Sequence, residues 1–287
     1  MNVSVVEGKK IGIIGVGNIG ASILRGLLAA DNGGGLNERI FISDVRKASL
    51  ESFVGDSESR VVVCESNGEV AEQSDVTILA VKPNDVQRVV EEIAPFISGS
   101  KIIISVAAGV PTHAIESALG TGKKVIRVMP NIGVLVGESV TAICKGAYAG
   151  EEDVELAREI FSALGAVYSL KESDLDIVTG LSGSGIAFFA AVIEAMSEGG
   201  VYEGLPYDVA LSISAQTALG AAKMILAGNE PSSITHRTAS PGGTTIRGLR
   251  VMDTVGVKAA LMEAVSEATK RARELSSSDK ASSLKAR

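Results

Sequence analysis

Short, near-continuous Val and Ile runs alternate with helical stretches through the first half of this chain, and that alternation leaves few folds open. The runs are Lys10–Ile14, Arg39–Ser43, Val61–Cys64, Val76–Val81, Lys101–Val106 and Lys124–Met129. Their lack of polar alternation predicts strands covered on both faces, as in a parallel sheet. Helical patterns fall between them at Ile19–Ala30, Lys47–Phe53, Asn84–Phe96 and Thr112–Leu119. A strand–helix–strand series implies right-handed crossovers and a doubly wound α/β sheet. Ser139–Cys144 and Ala166–Ser169 read as further strands at the sheet edge, with a helix at Glu151–Leu164 between them.

Beyond Lys171 the strand signal stops. Long helices are predicted at Ile186–Tyr202, Tyr207–Leu226 and Val257–Leu275, with shorter ones at Asp174–Thr179, Pro231–Thr238 and Thr244–Val255. Pro206 and Pro231 sit where a helix start tolerates proline. A chain of 287 residues is long enough for two cores. The expected division is a doubly wound α/β domain over 1–171, a helical domain over 172–275, and a flexible Ser- and charge-rich tail over 276–287. Small residues crowd the helical half and leave it little bulky core of its own. Its helices are therefore expected to bury surface against a second copy of the chain.

Aromatic residues make up only 3% of the chain, so the core must come from Ala, Val, Ile and Leu. The net charge is −7 with no large basic block, which argues against nucleic acid as a partner. Cys64 and Cys144 are far apart, and no C-x-x-C pair exists, so neither a disulfide framework nor a metal site is expected. The start of the sequence lacks a signal-peptide pattern. Apolar stretches are broken by Gly, Ser or charge short of the roughly 18 residues a membrane span needs, so no span is expected. A cytoplasmic protein is the default.

The first strand runs straight into Gly15-Val-Gly17-Asn18-Ile19-Gly20, a G-x-G-x-x-G loop opening a helix. Gly15 makes the tight turn, Gly17 lets backbone approach a pyrophosphate, and Gly20 lets helix pack on strand. The helix start supplies N–H donors and partial positive charge for phosphates. At the end of the second strand, Ser43-Asp44-Val45-Arg46-Lys47 should meet the adenosine ribose. Asp44 could accept from a free 2′-hydroxyl, which favours NADH. Arg46 and Lys47 could hold a 2′-phosphate, which favours NADPH. Both signals stand.

In the helical half, Ser240-Pro-Gly242-Gly243-Thr244-Thr245 is a glycine turn that opens another helix. Successive N–H groups there form an anion site suited to a substrate carboxylate. With its neighbours, SPGGTTIRGL closely resembles the C-terminal signature of the pyrroline-5-carboxylate reductase family. IGIIGVGNIG, the AVKP of Ala80–Pro83, the SVAAGV of Ser105–Val110, the MPN of Met129–Asn131 and the GLSGSG of Gly180–Gly185 resemble further family motifs in the same order. The similarity spans Lys10 to Leu275.

The resemblance implies an N-terminal doubly wound Rossmann domain followed by an all-helical dimerisation domain. It implies reduction of a cyclic imine carboxylate, 1-pyrroline-5-carboxylate, to L-proline with NADPH or NADH. Ser240, Gly242, Gly243 and Thr244 would hold the substrate carboxylate. Thr245 would orient the imine nitrogen, its hydroxyl being too weak an acid to supply the proton alone. Asn131 could reach the substrate or only shape its turn. The nicotinamide would rest near Ala80, Val81, Lys82, Pro83, Ala107, Ala108 and Gly109, with Lys82 the single charge in that set, free to reach cofactor or substrate or to cap a helix. His113 reads as structural, and His236, four residues before Ser240, is not expected to act as an acid. The family pattern also implies dimers with interleaved helices and rings of dimers. Ile132-Gly133 stand where the family usually has Thr-Pro, Ile186-Ala187-Phe188 where it has Pro-Ala-Tyr, and Asp44-Val45 where it has Asn-Arg. The first two bear on substrate choice and keep a paralogue for another cyclic imine as the alternative, alongside a non-catalytic nucleotide-binding relative. The β-hydroxyacid dehydrogenases share a similar first domain but need a lysine on the long interdomain helix, and Ile186–Glu203 has none.

Overall fold

The computed structural model describes residues 8–30, 39–51, 53 and 60–284. Chain contacts divide it into two units, Ser184–Ala268 on one side and everything before and after on the other. The sheet unit begins β1 (Ile11–Ile14), α1 (Asn18–Ala30), β2 (Ile40–Ser43), α2 (Ala48–Glu51), β3 (Val61–Val63), α3 (Asn67–Gln73), β4 (Val76–Leu79) and α4 (Pro83–Ile93). It continues with β5 (Ile102–Ser105), α5 (Thr112–Leu119), β6 (Lys124–Pro130), β7 (Ser139–Lys145), α6 (Glu151–Ser162), β8 (Gly165–Ser169) and α7 (Leu175–Val178).

The sheet order is β3-β2-β1-β4-β5-β6-β7-β8. Every pairing is parallel except β6 with β7. Ile13 on β1 lies between Ile42 on β2 and Ile78 on β4, all fully buried. One face of the sheet packs on α1 and α6 through Ile23, Leu24, Leu27, Ile160 and Phe161. The other packs on α3, α4 and α5 through Val70, Val86, Val90, Ile93 and Ile115. Burial on both faces is why these strands carry no polar alternation.

Three local readings need amendment. Helix α3 went unread in the sequence, although Ser66 and Glu69 mark its start: the Ser66 hydroxyl accepts from Glu69 N at 3.1 Å, and the Glu69 carboxylate accepts from Glu65 N at 2.9 Å. The single stretch expected at Asp174–Thr179 is instead a 3₁₀ turn, the short α7, and a π-helical turn over Thr179–Gly183. The last helix does not end at Leu275. No Gly or Pro interrupts Ser276-Ser-Ser-Asp-Lys-Ala, and the helix continues to Leu284. The expected helix over Lys47–Phe53 includes Ser52, which lies outside the described residues, as do 285–287.

The second unit holds α8 (Gly185–Tyr202), α9 (Tyr207–Leu226), α10 (Pro231–Thr238), α11 (Thr244–Thr254) and the first part of α12 (Val257–Leu284). Gly200 brings α8 close to α9: a Cβ there would stand 3.0 Å from that of Ala210. The helices nonetheless leave large apolar side chains uncovered, among them Phe189 (69% exposed), Met262 (67%) and Leu226 (81%). By length and composition, the helical stretches Glu172–Tyr202 and Tyr207–Leu226 could each cross a membrane, contrary to the expectation that no segment would qualify. The reason is that Gly and Ser interrupt apolar sequence without interrupting these helices.

Candidate functional sites

The nucleotide loop is built by its glycines. Gly15 has a φ of +93°, and a Cβ there would press to 2.8 Å from the Ala80 carbonyl oxygen. A Cβ on Gly20 would overlap the Gly15 carbonyl, so only glycine lets α1 start this close to β1. Gly17 differs: the nearest atom to its missing Cβ is Nη2 of Arg46, 3.5 Å away. Its outer side is open, as close approach by a pyrophosphate requires. Gly15 N donates to Ser43 O at 2.8 Å, and Ala80 N donates to Ile14 O at 2.8 Å. These bonds draw the β2 and β4 ends against the loop. Helix α1, which opens with Asn18 and Ile19, has no acid in its own first turn, while Asp44 Oδ2 accepts from Val16 N, two residues before the helix, at 2.8 Å.

Ala80–Pro83 leave the end of β4, and Ala107–Gly109 the end of β5, on the same carboxyl edge as the loop. This is the topological switch of the sheet, where the chain leaves β1 in one direction and β4 in the other. Ala107 is buried, and Gly109 adopts a φ of +79° against the backbone of Leu275 and Ser276. Lys82 occupies the N-cap position of α4, where an ammonium has nothing to accept from the helix N–H groups, and it is exposed. Beyond the end of β2, a cavity of about 430 Å³ opens beside Asp44 and Lys47 and is walled by Leu50, Val63 and Cys64. Ser43 donates to Asn67 Oδ1 at 2.8 Å, and Asn67 donates to Glu92 at 2.8 Å. Sequence reasoning passed over Asn67, which the Ser66 cap places on α3.

Asn131 is buried with its amide committed. Its Oδ1 accepts from Gly133 N at 3.0 Å and Val140 N at 3.4 Å, and its Nδ2 donates to Ser182 Oγ at 2.8 Å. It ties the end of β6 to the π-helical turn over Thr179–Gly183. Nearby, the Arg127 guanidinium is buried and paired with Glu172 at 3.5 Å and Asp176 at 3.7 Å. Glu172 also accepts from Thr112 N at 2.7 Å and Thr112 Oγ1 at 2.9 Å, while Asp176 accepts from Ser276 Oγ at 2.9 Å. This network joins α5, β6, α7 and the end of α12. No sequence signal separated Arg127 from an ordinary strand-edge charge.

In the helical unit, Gly242 turns with a φ of +72°, and Gly243 N donates to Ser240 O at 3.0 Å. Gly243 is the N-cap of α11, which has no side-chain cap and no acid in its first turn. Ser240, Gly242, Gly243, Thr244 and Thr245 thus gather at one open helix start. His113 and His236 are both exposed. Among the described residues no cluster of three His, Cys, Asp or Glu could hold a metal.

A doubly wound sheet with a pyrophosphate-ready loop, joined to a helical unit with its own anion-ready helix start, defines a two-domain, dinucleotide-dependent oxidoreductase. The comparisons agree. Residues 172–275 match the family model for pyrroline-5-carboxylate reductase dimerisation, and residues 10–109 match that for the NADP oxidoreductase, coenzyme F420-dependent, family. A pyrroline-5-carboxylate reductase of Methanosarcina acetivorans is 43% identical over 94% of this chain and 99% of its own. One of Glycine max is 37% identical over 94% and 97%. The solved pyrroline-5-carboxylate reductase of Coxiella burnetii superposes with a TM-score of 0.86 at 31% identity, covering 93% of this chain and 98% of that one. The Plasmodium falciparum pyrroline carboxylate reductase, solved with NADP bound, gives 0.81 at 27% identity over 94% and 99%. The chain belongs to the pyrroline-5-carboxylate reductase family.

Proposed function

We propose that this chain reduces 1-pyrroline-5-carboxylate to L-proline, the last step of proline biosynthesis, using NAD(P)H. The observation that carries the reading is a single chain with two helix starts open to anions, α1 after Gly17 and α11 after Gly243, neither with an acid in its first turn. One suits a pyrophosphate and the other a carboxylate.

When bound, the nicotinamide supplies the hydride that adds to the ring C=N carbon. The nitrogen takes up a proton, so the products are L-proline and the oxidised cofactor. Gly15, Gly17, Asn18, Ile19 and Gly20 receive the pyrophosphate, and Ser43, Asp44 and Arg46 face the adenosine. Ala80–Pro83 and Ala107–Gly109 flank the nicotinamide with small side chains that let a flat ring lie close to the sheet edge. Ser240, Gly242, Gly243 and Thr244 hold the substrate carboxylate with backbone N–H groups and a hydroxyl. Thr245, one position into α11, orients the imine nitrogen. The proton comes from solvent or arrives with an already protonated imine, since an alcohol is too weak an acid. Lys82, exposed at the start of α4, adds positive charge beside the cofactor. Asn131 acts through Ser182, shaping the turn before α8 rather than reaching substrate. The uncovered apolar faces of α8, α9 and α12 support interleaved homodimers and larger rings of dimers. We place the enzyme in the cytoplasm.

The test is steady-state oxidation of NADH and NADPH with 1-pyrroline-5-carboxylate, wild type against Thr245→Ala. Turnover with this imine, reduced about ten- to a thousandfold in the variant, is the scale of one oriented hydroxyl. Unchanged turnover in the variant removes Thr245 from the site, and no turnover in the wild type removes the substrate.

A further inference from the structure

We infer that Arg127 is a positioning residue for hydride transfer: acting through Glu172 and Asp176, it fixes the turn Ala107–Gly109. The inference rests on the reading of that turn as a flank of the nicotinamide. Arg127 lies on β6, between β5 and β7, in register with Ser105, the last residue of β5. Its side chain is only 4% exposed, and a cation placed there needs a reason. Stability does not supply one. Nη1 reaches Glu172 only at 3.5 Å, and Nη2 lies 3.7 Å from Asp176 with no hydrogen-bond partner among the described residues. A buried ion pair with long, incompletely satisfied contacts adds little net stability over an apolar side chain of similar volume.

What the two carboxylates hold gives the reason. The turn is pinned at its start, its tip and just beyond its end. At the start, Ala107 N donates to Ser105 Oγ at 3.4 Å. Beyond the end, Glu172 accepts from Thr112 N at 2.7 Å and from Thr112 Oγ1 at 2.9 Å. At the tip, Gly109 has a φ of +79°, and a Cβ there would stand 3.7 Å from Ser276 N and 3.8 Å from the Leu275 carbonyl carbon. Ser276 is itself held by Asp176, which accepts from its hydroxyl at 2.9 Å. The pins at the tip and the end thus run through carboxylates that share one guanidinium, and all of these residues belong to the sheet unit. Without that cation the two like charges repel, and their grip on Thr112 and Ser276 loosens. A planar fork serves both carboxylates at once, whereas a lysine ammonium serves one. A misplacement of about 1 Å beside a reacting ring is enough to cost on the order of a hundredfold in rate.

The test combines calorimetry and turnover on the whole protein. Titration with NADPH and with 2′-phospho-ADP-ribose, which lacks the nicotinamide, counts the binding sites and gives both affinities. The kcat with saturating 1-pyrroline-5-carboxylate and NADPH is then expressed per site. Arg127→Lys keeps the charge and should lower kcat per site about tenfold or more. Its affinity for 2′-phospho-ADP-ribose should stay within about twofold of wild type, since the adenosine half is untouched. Thr112→Val keeps the shape, deletes one donor to Glu172 and should lower kcat per site about threefold, the scale of one weak hydrogen bond. Because both changes act through Glu172, the double variant should lose little more than Arg127→Lys alone. Should Arg127→Lys not fold, Thr112→Val combined with Ser276→Ala carries the test by the same fall in kcat per site. A merely structural Arg127 would lower the number of sites or the urea midpoint and leave kcat per site unchanged. That result overturns the inference, as does a double-variant loss equal to the product of the two single losses, or a parallel loss of affinity for 2′-phospho-ADP-ribose. Wild-type protein that binds the truncated probe as tightly as NADPH and turns over no imine overturns the reading of the turn as a nicotinamide flank, and the inference falls with it.

Discussion

The two units handle apolar side chains in opposite ways. In the sheet unit, β1, β2, β4 and β5 are buried along their whole length. Their Val and Ile side chains find partners in α1 and α6 on one face and α3 to α5 on the other. In the helical unit the pattern inverts. Helices α8 and α9 bury Gly185, Ser197, Ala210 and Ser214, all small, while Phe189, Met196 and Ile213 stand more than half exposed. A helix apolar all round cannot be satisfied by one neighbour. The sheet is covered on both faces by helices of its own chain, whereas the helical unit leaves broad apolar faces for a second copy to cover.

The largest expected effect breaks that comparison directly. Phe189→Asp would place a charge on the uncovered face of α8. On a solvated surface such a change costs within about 0.5 kcal/mol. At a face covered by a second copy, it buries an unpaired charge and costs at least about 3 kcal/mol of association. Light scattering should show the assembly falling to smaller species. An unchanged assembly would mean that a second copy does not cover α8. The next effect probes the other side. Ile78→Ala, at the middle of β4 with no exposed surface, should cost about 2–5 kcal/mol in chemical unfolding. Light scattering should report an unaltered assembly, since Ile78 lies inside the sheet unit. A variant that loses assembly before it loses the sheet would show that the units are not independent in this respect.

What could be read ahead of the structure follows the same divide. The strands were legible because burial on both faces writes itself as unbroken Val and Ile, and the loop was legible because Gly15 and Gly20 each answer a local steric demand and Gly17 leaves the loop open between them. The helix start after Gly243 was legible for the same reason. The roles of Asp44 and Asn131 were not. Each has a side chain whose partners, Val16 for one and Ser182 for the other, lie far off in sequence, and residue type alone does not say where a carboxylate or an amide is spent. Arg127 and Glu172 were hidden likewise, as a pair formed across 45 positions. Helix α3 was missed because it is short and holds Gly68, yet its Ser66 cap was in plain view. The end of the last helix was not legible either, because Ser-rich, charged sequence lacks the apolar periodicity that marks a helix even where no Gly or Pro stops one.

The smallest expected effect sharpens the comparison from within the sheet unit. Both cysteines lie in it and both are buried. Burial, with Glu69 adding to it, pushes the Cys64 thiol up to about 11. Burial, with Glu172 adding and Arg127 opposing, pushes Cys144 up to about 12. A thiol whose proton is held more tightly in the folded state adds stability below the unfolded value of 9.0 and loses it as pH rises through its folded value. The window is therefore alkaline, from about pH 9 to 12, and near pH 7 to 8 both groups are neutral thiols. At pH 8 the thiolate fraction of Cys64 should be roughly a hundredfold below that of an unfolded chain, and that of Cys144 lower still. Iodoacetamide labelling followed by mass spectrometry should thus be slow for both residues in the native protein and fast after denaturation. Because Cys64 also walls the cavity beside Asp44, a saturating nucleotide should slow its labelling further and leave Cys144 unchanged. Rapid native labelling of Cys144 at pH 8 would show that the region around β7 opens to solvent, and the contrast between a closed sheet unit and an open helical one would have to be redrawn.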